Sequence, residues 1–140
     1  MNYVETFISA ENPKYQVLGE IENKERMEML LEDIQRVVPS SRVRFTMFTD
    51  KSSGYTERGF AVIDLPLDSA IRLGRKYGQE SILVSNLGLL NLKSLSINPV
   101  KKILYGEDAL ARTAFTKYAG GGAVSYDLDF SMRAIRRMKA

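Results

Sequence analysis

Apolar and polar residues recur with two different periods in the first 85 residues of the chain, and these periods predict its secondary structure. From Glu22 to Val38 the apolar side chains fall three or four residues apart and Pro39 closes the run, which predicts a helix. A second helix is expected between Pro66 and Gly78. Strands are predicted where β-branched and aromatic residues cluster or alternate with polar ones, at residues 3–9, 42–48, 59–65 and 81–85.

The strand predicted at residues 42–48 alternates regularly. Val43, Phe45 and Met47 share one face, and the opposite face carries arginine and threonine. Because successive side chains of a strand point to opposite sides of a sheet, the apolar face is expected to be the buried one. The polar residues 50–54 then predict a turn into the next strand, so that the two strands form a hairpin.

The order strand, helix, strand, strand, helix, strand predicts an α+β fold of the ferredoxin-like type, with the split βαβ pattern βαββαβ. Its antiparallel or mixed sheet would be covered on one face by two helices. Residues 1–86 are interpreted as this core and residues 87–130 as a C-terminal extension packed on it. The extension is expected to contain a late strand, because residues 124–130 alternate between apolar and polar side chains. Residues 131–140 are interpreted as a basic tail.

The chain contains neither cysteine nor histidine. Thiolate nucleophiles, Cys/His metal sites and Ser-His-Asp triads are therefore excluded, and no metal or cofactor is expected. The absence of cysteine fits a reducing compartment. The first ten residues do not resemble a secretion signal, and no apolar run approaches the length of a membrane span, so a cytoplasmic location without membrane contact is expected.

Charge is distributed unevenly along the chain. Residues 1–80 contain 11 basic and 13 acidic side chains, whereas residues 81–140 contain 9 basic and 4 acidic ones. The acid-free tail, interpreted as a short amphipathic helix or a disordered arm, carries four cations that are predicted to contact nucleic acid or another acidic partner: Arg133, Arg136, Arg137 and Lys139. The alternative is a solvated surface that only keeps the protein soluble.

A glycine triplet and a pair of aspartates in the C-terminal part of the chain are weaker candidates for a functional site. The glycines at residues 120–122 lack the flanking residues of a phosphate-binding loop, so they predict a hinge or a hairpin loop. Asp127 and Asp129 lie on one face of the late strand, where two carboxylates could hold a divalent cation. No third ligand accompanies them in the sequence, and exposed aspartates on an edge strand are the simpler interpretation.

Polar residues cluster at three predicted strand ends: Glu11-Asn12-Pro13, Thr56-Glu57-Arg58 and Gln79-Glu80-Ser81. In the predicted topology these ends lie at the same edge of the sheet, so the side chains are expected to meet. Asparagine and glutamine both donate and accept, glutamate accepts and arginine donates, which suits a polar ligand such as a base or a nucleotide. The alternative is that they satisfy backbone groups at turns, with Glu57 or Glu80 paired to Arg58.

Four segments resemble a small uncharacterised domain family of bacteria and bacteriophages: residues 7–13 with Ala-x-Asn-Pro, residues 22–26 with Asn-x-x-Arg, residues 57–62, and residues 77–81 with aromatic-Gly-Gln-Glu. The resemblance covers residues 7–85 and implies a bacterial or phage origin, but no activity. The matched positions, together with Arg58, form the candidate ligand-binding set: Asn12, Asn23, Arg26, Glu57, Arg58, Gln79 and Glu80.

These features favour a non-catalytic binding or accessory protein that recognises a host macromolecule or a polar ligand through the polar rim and the basic tail. A protein partner or self-association is expected. One alternative is a structural component of a virion. Another is an enzyme acting on nucleotides or nucleic acid, with Glu57 or Glu80 as general base and Arg58 as charge stabiliser.

Overall fold

The computed structural model describes residues 3–131 and 136–137. This part of the chain forms nine strands and three α-helices, with 3₁₀ turns at Pro13–Tyr15 and Ser40–Arg42. In chain order the elements are β1 (Glu5–Ile8), α1 (Glu20–Gln35), β2 (Val43–Asp50), β3 (Tyr55–Ile63), α2 (Leu67–Lys76), β4 (Ser81–Val84), β5 (Gly88–Asn91), β6 (Ser96–Tyr105), α3 (Gly106–Leu110), β7 (Ala114–Tyr118), β8 (Ala123–Leu128) and β9 (Arg136–Arg137).

Eight strands close into an antiparallel barrel. Their order is β5-β4-β1-β3-β2-β7-β8-β6, and β5 also pairs with β6, which closes the ring. The closing pair places Gly88 opposite Pro99 and Leu90 opposite Ile97. β6 is long enough to pair with β5 on one side and with both β8 and the two-residue β9 on the other. An eight-stranded barrel has an interior just wide enough to be filled by side chains or to hold one small ligand.

The predicted ferredoxin-like α+β fold is therefore wrong. Residues 5–84 supply the neighbouring strands β4-β1-β3-β2, but β4 also pairs with β5 and β2 also pairs with β7, so neither end of this row is an edge. The physical reason lies on the face away from the helices, where the rings of Phe7, Tyr118 and Tyr126 meet. An open sheet would expose these rings to water, whereas closure partly buries them and also pairs the free strand edges.

Helices α1 and α2 cover the outer face of one side of the barrel. α1 contributes Met27, Leu30 and Ile34 to the core, and α2 contributes Ala70 and Leu73. They pack against outward-facing strand residues that include Ile8, Phe60, Val62, Ile82, Val84 and Leu90.

No helix in the described part of the chain is both long enough and apolar enough to span a membrane.

The barrel interior combines aromatic rings with a buried carboxyl group. Phe7 contacts Tyr126 edge-on at 5.4 Å between ring centroids, although β1 and β8 are not neighbours in the sheet. Glu5, 4% exposed, accepts hydrogen bonds from the Tyr118 hydroxyl at 3.0 and 3.1 Å. Burial raises the pKa of Glu5, with smaller opposing effects from Tyr118 and Arg44.

The buried face of β2 is the opposite of the predicted one. Phe45 is 56% exposed and Met47 39%, whereas Thr46 is 8% exposed. The register explains the inversion, because Thr46 lies opposite Gly59 on one side and Tyr118 on the other, within the barrel. Phe45 and Met47 therefore point out of the barrel, beside α1.

Part of the basic tail is described. Arg136 and Arg137 form β9, whose residues pair with Ile97 and Ser96 of β6, so this part of the tail is a strand and not the expected helix or arm. The predicted contact residues Arg133 and Lys139 lie outside the described residues.

Candidate ligand-binding cleft

One end of the barrel carries a polar cleft of about 520 Å³. β1 ends there, the turn between β2 and β3 crosses it, and β4 begins there, so its side chains come from three separate parts of the sequence. The lining residues are Asn12, Val17, Phe48, Asp50, Ser53, Tyr55, Glu57, Gln79, Glu80 and Ser81. We call this site the mouth cleft. Barrel mouths are among the places where proteins commonly bind small molecules.

The mouth cleft continues toward the interior of the barrel. A second cavity of about 240 Å³ shares Phe48, Glu57, Gln79 and Ser81 with it. The walls of this inner cavity also include the apolar side chains Phe7, Leu83 and Leu89. The site thus combines a polar entrance with a smaller, more apolar inner chamber.

Glu57 stands at the junction of the two cavities. The register of β3 with β2 places it opposite Phe48, on the interior face of the sheet. Burial, followed by the nearby Glu11 carboxylate, raises the pKa of Glu57 to about 7, with smaller opposing effects from Ser9 and Tyr55. This carboxyl group therefore exchanges its proton near neutral pH, unlike an ordinary surface glutamate.

Asn12 is fixed in an unusual conformation at the rim of the mouth cleft. Its φ of 46° and ψ of 61° place it in the left-handed region, which asparagine tolerates better than most residues. The side-chain nitrogen of Asn12 donates to the Tyr55 hydroxyl at 3.0 Å. Its side-chain oxygen accepts hydrogen bonds from the backbone N–H of Leu18 and from the side-chain amide of Asn23. Asn12 thereby holds the Tyr55 hydroxyl in place beside Glu57.

Gln79 and Glu80 enter the cleft from the segment before β4. The Gln79 amide nitrogen donates to the backbone oxygen of Glu11 at 2.9 Å, so this amide helps to hold the segment that follows β1. Glu80 forms no ion pair among the described residues. On the opposite wall, Asp50 accepts hydrogen bonds from Ser52 and Ser53, which lower its pKa. Carboxyl groups thus approach the cleft from three directions.

Arg58 does not join its neighbour Glu57 in the mouth cleft. β3 begins at Tyr55, four residues earlier than predicted, so Glu57 and Arg58 are consecutive strand residues and point to opposite faces. The backbone N–H of Arg58 donates to Glu11 at 2.6 Å, and its guanidinium donates to the same carboxylate at 2.8 Å. Arg58 therefore neutralises the buried Glu11 instead of facing the cleft.

Asn23 and Arg26 lie on α1 and connect that helix to the strand ends. Asn23 accepts from the backbone N–H of Asn12 and donates to the Asn12 side chain, each at 3.0 Å. Arg26 donates to the backbone oxygens of Ala10, at 2.7 Å, and of Tyr77. Neither residue lines the mouth cleft; both act on the segment that positions Asn12.

Replacing Asn23 with alanine is expected to lower the free energy of unfolding by about 1–3 kcal/mol, because the part-buried N–H of Asn12 loses its acceptor. Asn23 is 7% exposed, so water does not easily replace the acceptor that the Asn12 N–H has lost. Urea denaturation measures the effect, and Lys24→Ala, at an exposed neighbouring position on the same helix, is the matched control. Equal stability of the two variants would contradict a structural role for Asn23.

The electrostatic character of the mouth cleft is acidic. Asp50, Glu57 and Glu80 line it, and among the described residues neither lysine nor arginine does. Phe48 and the ring of Tyr55 supply flat apolar surface, and the Tyr55 hydroxyl and the Asn12 and Gln79 amides are polar groups beside it. Such a lining suits a ligand that donates hydrogen bonds or carries positive charge, and it repels anions.

The two aspartates considered as metal ligands are engaged elsewhere. Asp127 accepts from Arg112 at 2.8 Å, and Asp129 accepts from the backbone N–H of Ser131. In residues 3–131 and 136–137, no three acidic side chains are grouped closely enough to hold a metal ion. The glycines at 120–122 lie in the loop between β7 and β8.

The structure thus brings together Asn12, Glu57, Gln79 and Glu80 and leaves Arg58, Asn23 and Arg26 outside the cleft. Sequence reasoning missed Asp50 and Tyr55, which are paired across the hairpin and face the cleft together. The polar turn at residues 50–54 is the signal that could have found them, because a strand beginning directly after it places Tyr55 and Glu57 on one face.

Comparison with known proteins gives the family of the chain but no activity. The family model DUF3293, described as a protein of unknown function, matches residues 8–82, which is more than half of the chain, so the chain belongs to this family. Among curated proteins no relative matches. The similarity to an uncharacterised domain family noted from the sequence is confirmed to this extent.

Proposed function

We propose that this member of the DUF3293 family is a non-catalytic binding protein whose mouth cleft holds a small polar ligand rich in N–H donors and without an anionic group. A free amine, a guanidine or an amino-substituted nucleobase has this chemistry. The observation that carries the proposal is the lining of the cleft, in which carboxyl, hydroxyl and amide groups converge without a cation among the described residues.

The electrostatics support a donor-rich ligand. Carboxylates accept hydrogen bonds and attract cations, and these interactions strengthen where water is partly excluded. Glu57 can respond to the ligand, because its pKa of about 7 leaves it partly protonated at neutral pH. A cationic group placed beside Glu57 would favour the ionised carboxylate and release a proton. A nucleotide phosphate, by contrast, would face Asp50 and Glu80.

The shape supports a small ligand. A cleft of about 520 Å³ falls within the usual range for sites that bind small molecules. The inner chamber beyond Glu57 is apolar on the side of Phe7, Leu83 and Leu89, so it suits a flat or aliphatic part of the ligand. Side chains fixed by hydrogen bonds, such as Asn12 and Tyr55, reduce the entropy lost on binding.

An enzymatic role is favoured by one observation, the raised pKa of Glu57, since a general base works best when its pKa lies near the ambient pH. The charge stabiliser expected for this mechanism, Arg58, is bound to Glu11 on the opposite face of β3. Catalysis would therefore need its stabilising charge from the ligand itself. Conversion of a bound compound during a binding titration would favour this alternative.

Agmatine and adenosine are expected to bind in the mouth cleft more tightly than adenosine monophosphate, whose phosphate is repelled by the acidic lining. Chemical-shift changes of the backbone amides, followed by NMR during titration, measure both the affinity and the place of binding. The amides of Asn12, Tyr55 and Glu80 are expected to respond. Glu80→Gln should weaken agmatine binding about two- to fivefold, the size of one exposed ion pair.

Glu107→Gln is the matched control, because it removes a carboxylate from the exposed first turn of α3, outside the cleft. Its affinity for agmatine should equal that of the unchanged protein. Stronger binding of the monophosphate, or shifts confined to residues outside the cleft, would contradict the proposal.

Binding of an acidic partner by the tail stays a prediction. Arg136 is exposed on β9, so its guanidinium is accessible to such a partner.

A further inference from the structure

A third cavity, of about 480 Å³, lies outside the barrel between α1 and the outer faces of β2 and β7. We call it the lateral groove. Phe60, 1% exposed, is one of its deepest residues, and Met27 and Leu31 of α1 form one wall. Phe45 and Met47 of β2 form the other wall. The groove is distinct from the mouth cleft, since the two have no lining residue in common.

The groove exists because α1 covers the sheet only in part. Leu30 and Ile34 of α1 are fully buried in the core between helix and sheet. Beyond this contact, Phe45 remains 56% exposed and Met47 39% exposed. Phe45 and Met47 lie on the same face of β2 and form one apolar patch within a concave surface, which is a feature of ligand-binding grooves. Met47, which is partly exposed, can adapt its shape to a ligand, because methionine is flexible and polarisable.

Charged groups at the edge of the groove indicate what it binds. Lys24 on α1 and Lys117 on β7 both line it, both are exposed, and neither forms an ion pair among the described residues. Glu28 is the one acidic residue of the described lining, and Arg58 is already neutralised by Glu11. The groove therefore offers an apolar floor with two cations at its edge that have no ion-pair partner in the described part of the chain.

We propose that the lateral groove binds an amphipathic anion, a molecule with an apolar body and a single carboxylate or sulfonate group. The apolar body lies over Phe60 between the wall residues Met27 and Met47. The anionic group stays at the water boundary near Lys24 and Lys117, where it needs little desolvation. A volume of about 480 Å³ suits a ligand of small-molecule size more than a protein helix.

Decanoate is the probe that tests this inference, used below its micelle concentration and compared with 1-decanol and decyltrimethylammonium. Decanoate is expected to shift the amide resonances of Phe45, Met47 and Lys117 in an NMR titration. The neutral alcohol should bind about three- to tenfold more weakly and the cationic detergent more weakly still, because two exposed ion pairs are lost or reversed. Equal affinity for all three probes would overturn the assignment of an anionic ligand.

Two variants locate the site. Met47→Glu places a carboxylate on the wall of the groove and should weaken decanoate binding about tenfold or more, while its surface position leaves folding intact. Lys24→Gln combined with Lys117→Gln should weaken it about three- to tenfold, as expected for two exposed ion pairs. Lys93→Gln, an exposed lysine in the turn after β5, is the matched control and should bind like the unchanged protein.

The main competing occupant is a second copy of the chain. Sedimentation velocity measured with and without decanoate distinguishes it. A dimer that dissociates in Met47→Glu and is unaffected by decanoate would assign the groove to self-association and overturn the proposal. A monomer whose decanoate affinity falls in Met47→Glu supports it. Unchanged decanoate binding in Met47→Glu places the ligand elsewhere and also overturns it.

Discussion

A Glu57→Gln variant is expected to lose much of the pH dependence of stability between pH 4 and pH 8. The pKa of Glu57 is about 7 in the folded chain against an ordinary value of 4.5, so the folded state binds more protons than the unfolded state in this interval. The free energy of unfolding therefore falls as pH rises from about 4.5 to 7. At about 1.36 kcal/mol per pKa unit, the loss attributable to Glu57 is about 3 kcal/mol, and the amide variant should not show it.

Other groups set what remains of the pH dependence in the variant. Glu5 also has a raised pKa, so the variant should keep a residual slope of the same sign. The pKa of Asp33 is lowered, mainly by its hydrogen bond from Lys76 and to a smaller extent by that from Tyr77. Its contribution to the pH dependence of stability therefore has the opposite sign and falls at lower pH. Removal of Glu57 also relieves the buried Glu11 of a neighbouring negative charge.

Urea denaturation at pH 4, 6 and 8 measures this effect. The difference in stability between variant and unchanged protein should move in favour of the variant by about 3 kcal/mol between pH 4 and pH 8. Glu107→Gln is the control, because it shows how the free energy of unfolding changes when an exposed carboxylate is removed. Parallel pH profiles for Glu57→Gln and the unchanged protein would mean that Glu57 does not occupy its half-buried position near Glu11 in solution.

Replacement of Gly88 with alanine is expected to destabilise the fold by about 3 kcal/mol or more, or to prevent folding. A Cβ atom at this position would lie 1.9 Å from the backbone oxygen of Asn98 and 2.8 Å from the Cα of Pro99. The backbone φ of +139° is also one that alanine rarely adopts. β6 cannot withdraw without breaking its pairing with β5, and that pairing closes the barrel.

Thermal unfolding followed by circular dichroism measures the loss, and Gly120→Ala is the matched control. A Cβ atom at Gly120 would have no heavy atom within 4 Å, and the residue does not have a positive φ. The control should therefore stay within about 0.5 kcal/mol of the unchanged protein. A Gly88→Ala protein with an unchanged melting temperature would show that β5 and β6 do not approach each other this closely.

Four of the ten residues that line the mouth cleft belong to the set predicted from the sequence: Asn12, Glu57, Gln79 and Glu80. Asn12, Gln79 and Glu80 sit at strand ends, and strand ends at one edge of a sheet meet whether the sheet is open or closed. Arg58 lies outside the mouth cleft for a local reason, since β3 begins four residues earlier than expected and alternation then separates Arg58 from Glu57. Tyr55 was missed for the same reason.

Local elements and family membership follow from the amino-acid sequence without any tertiary information. The helices at residues 20–35 and 67–76 and the strands of residues 5–84 depend on hydrophobic periodicity, glycine and proline, which act over a few residues. The closed barrel, the inward face of β2 and the three cavities arise at the level of tertiary packing. Closure depends on hydrogen bonds between strands distant in sequence, such as β2 with β7, and on the choice of register. A shift of one residue in the strand register exchanges the buried and exposed faces of a strand, and the register is determined by the packing of the whole barrel.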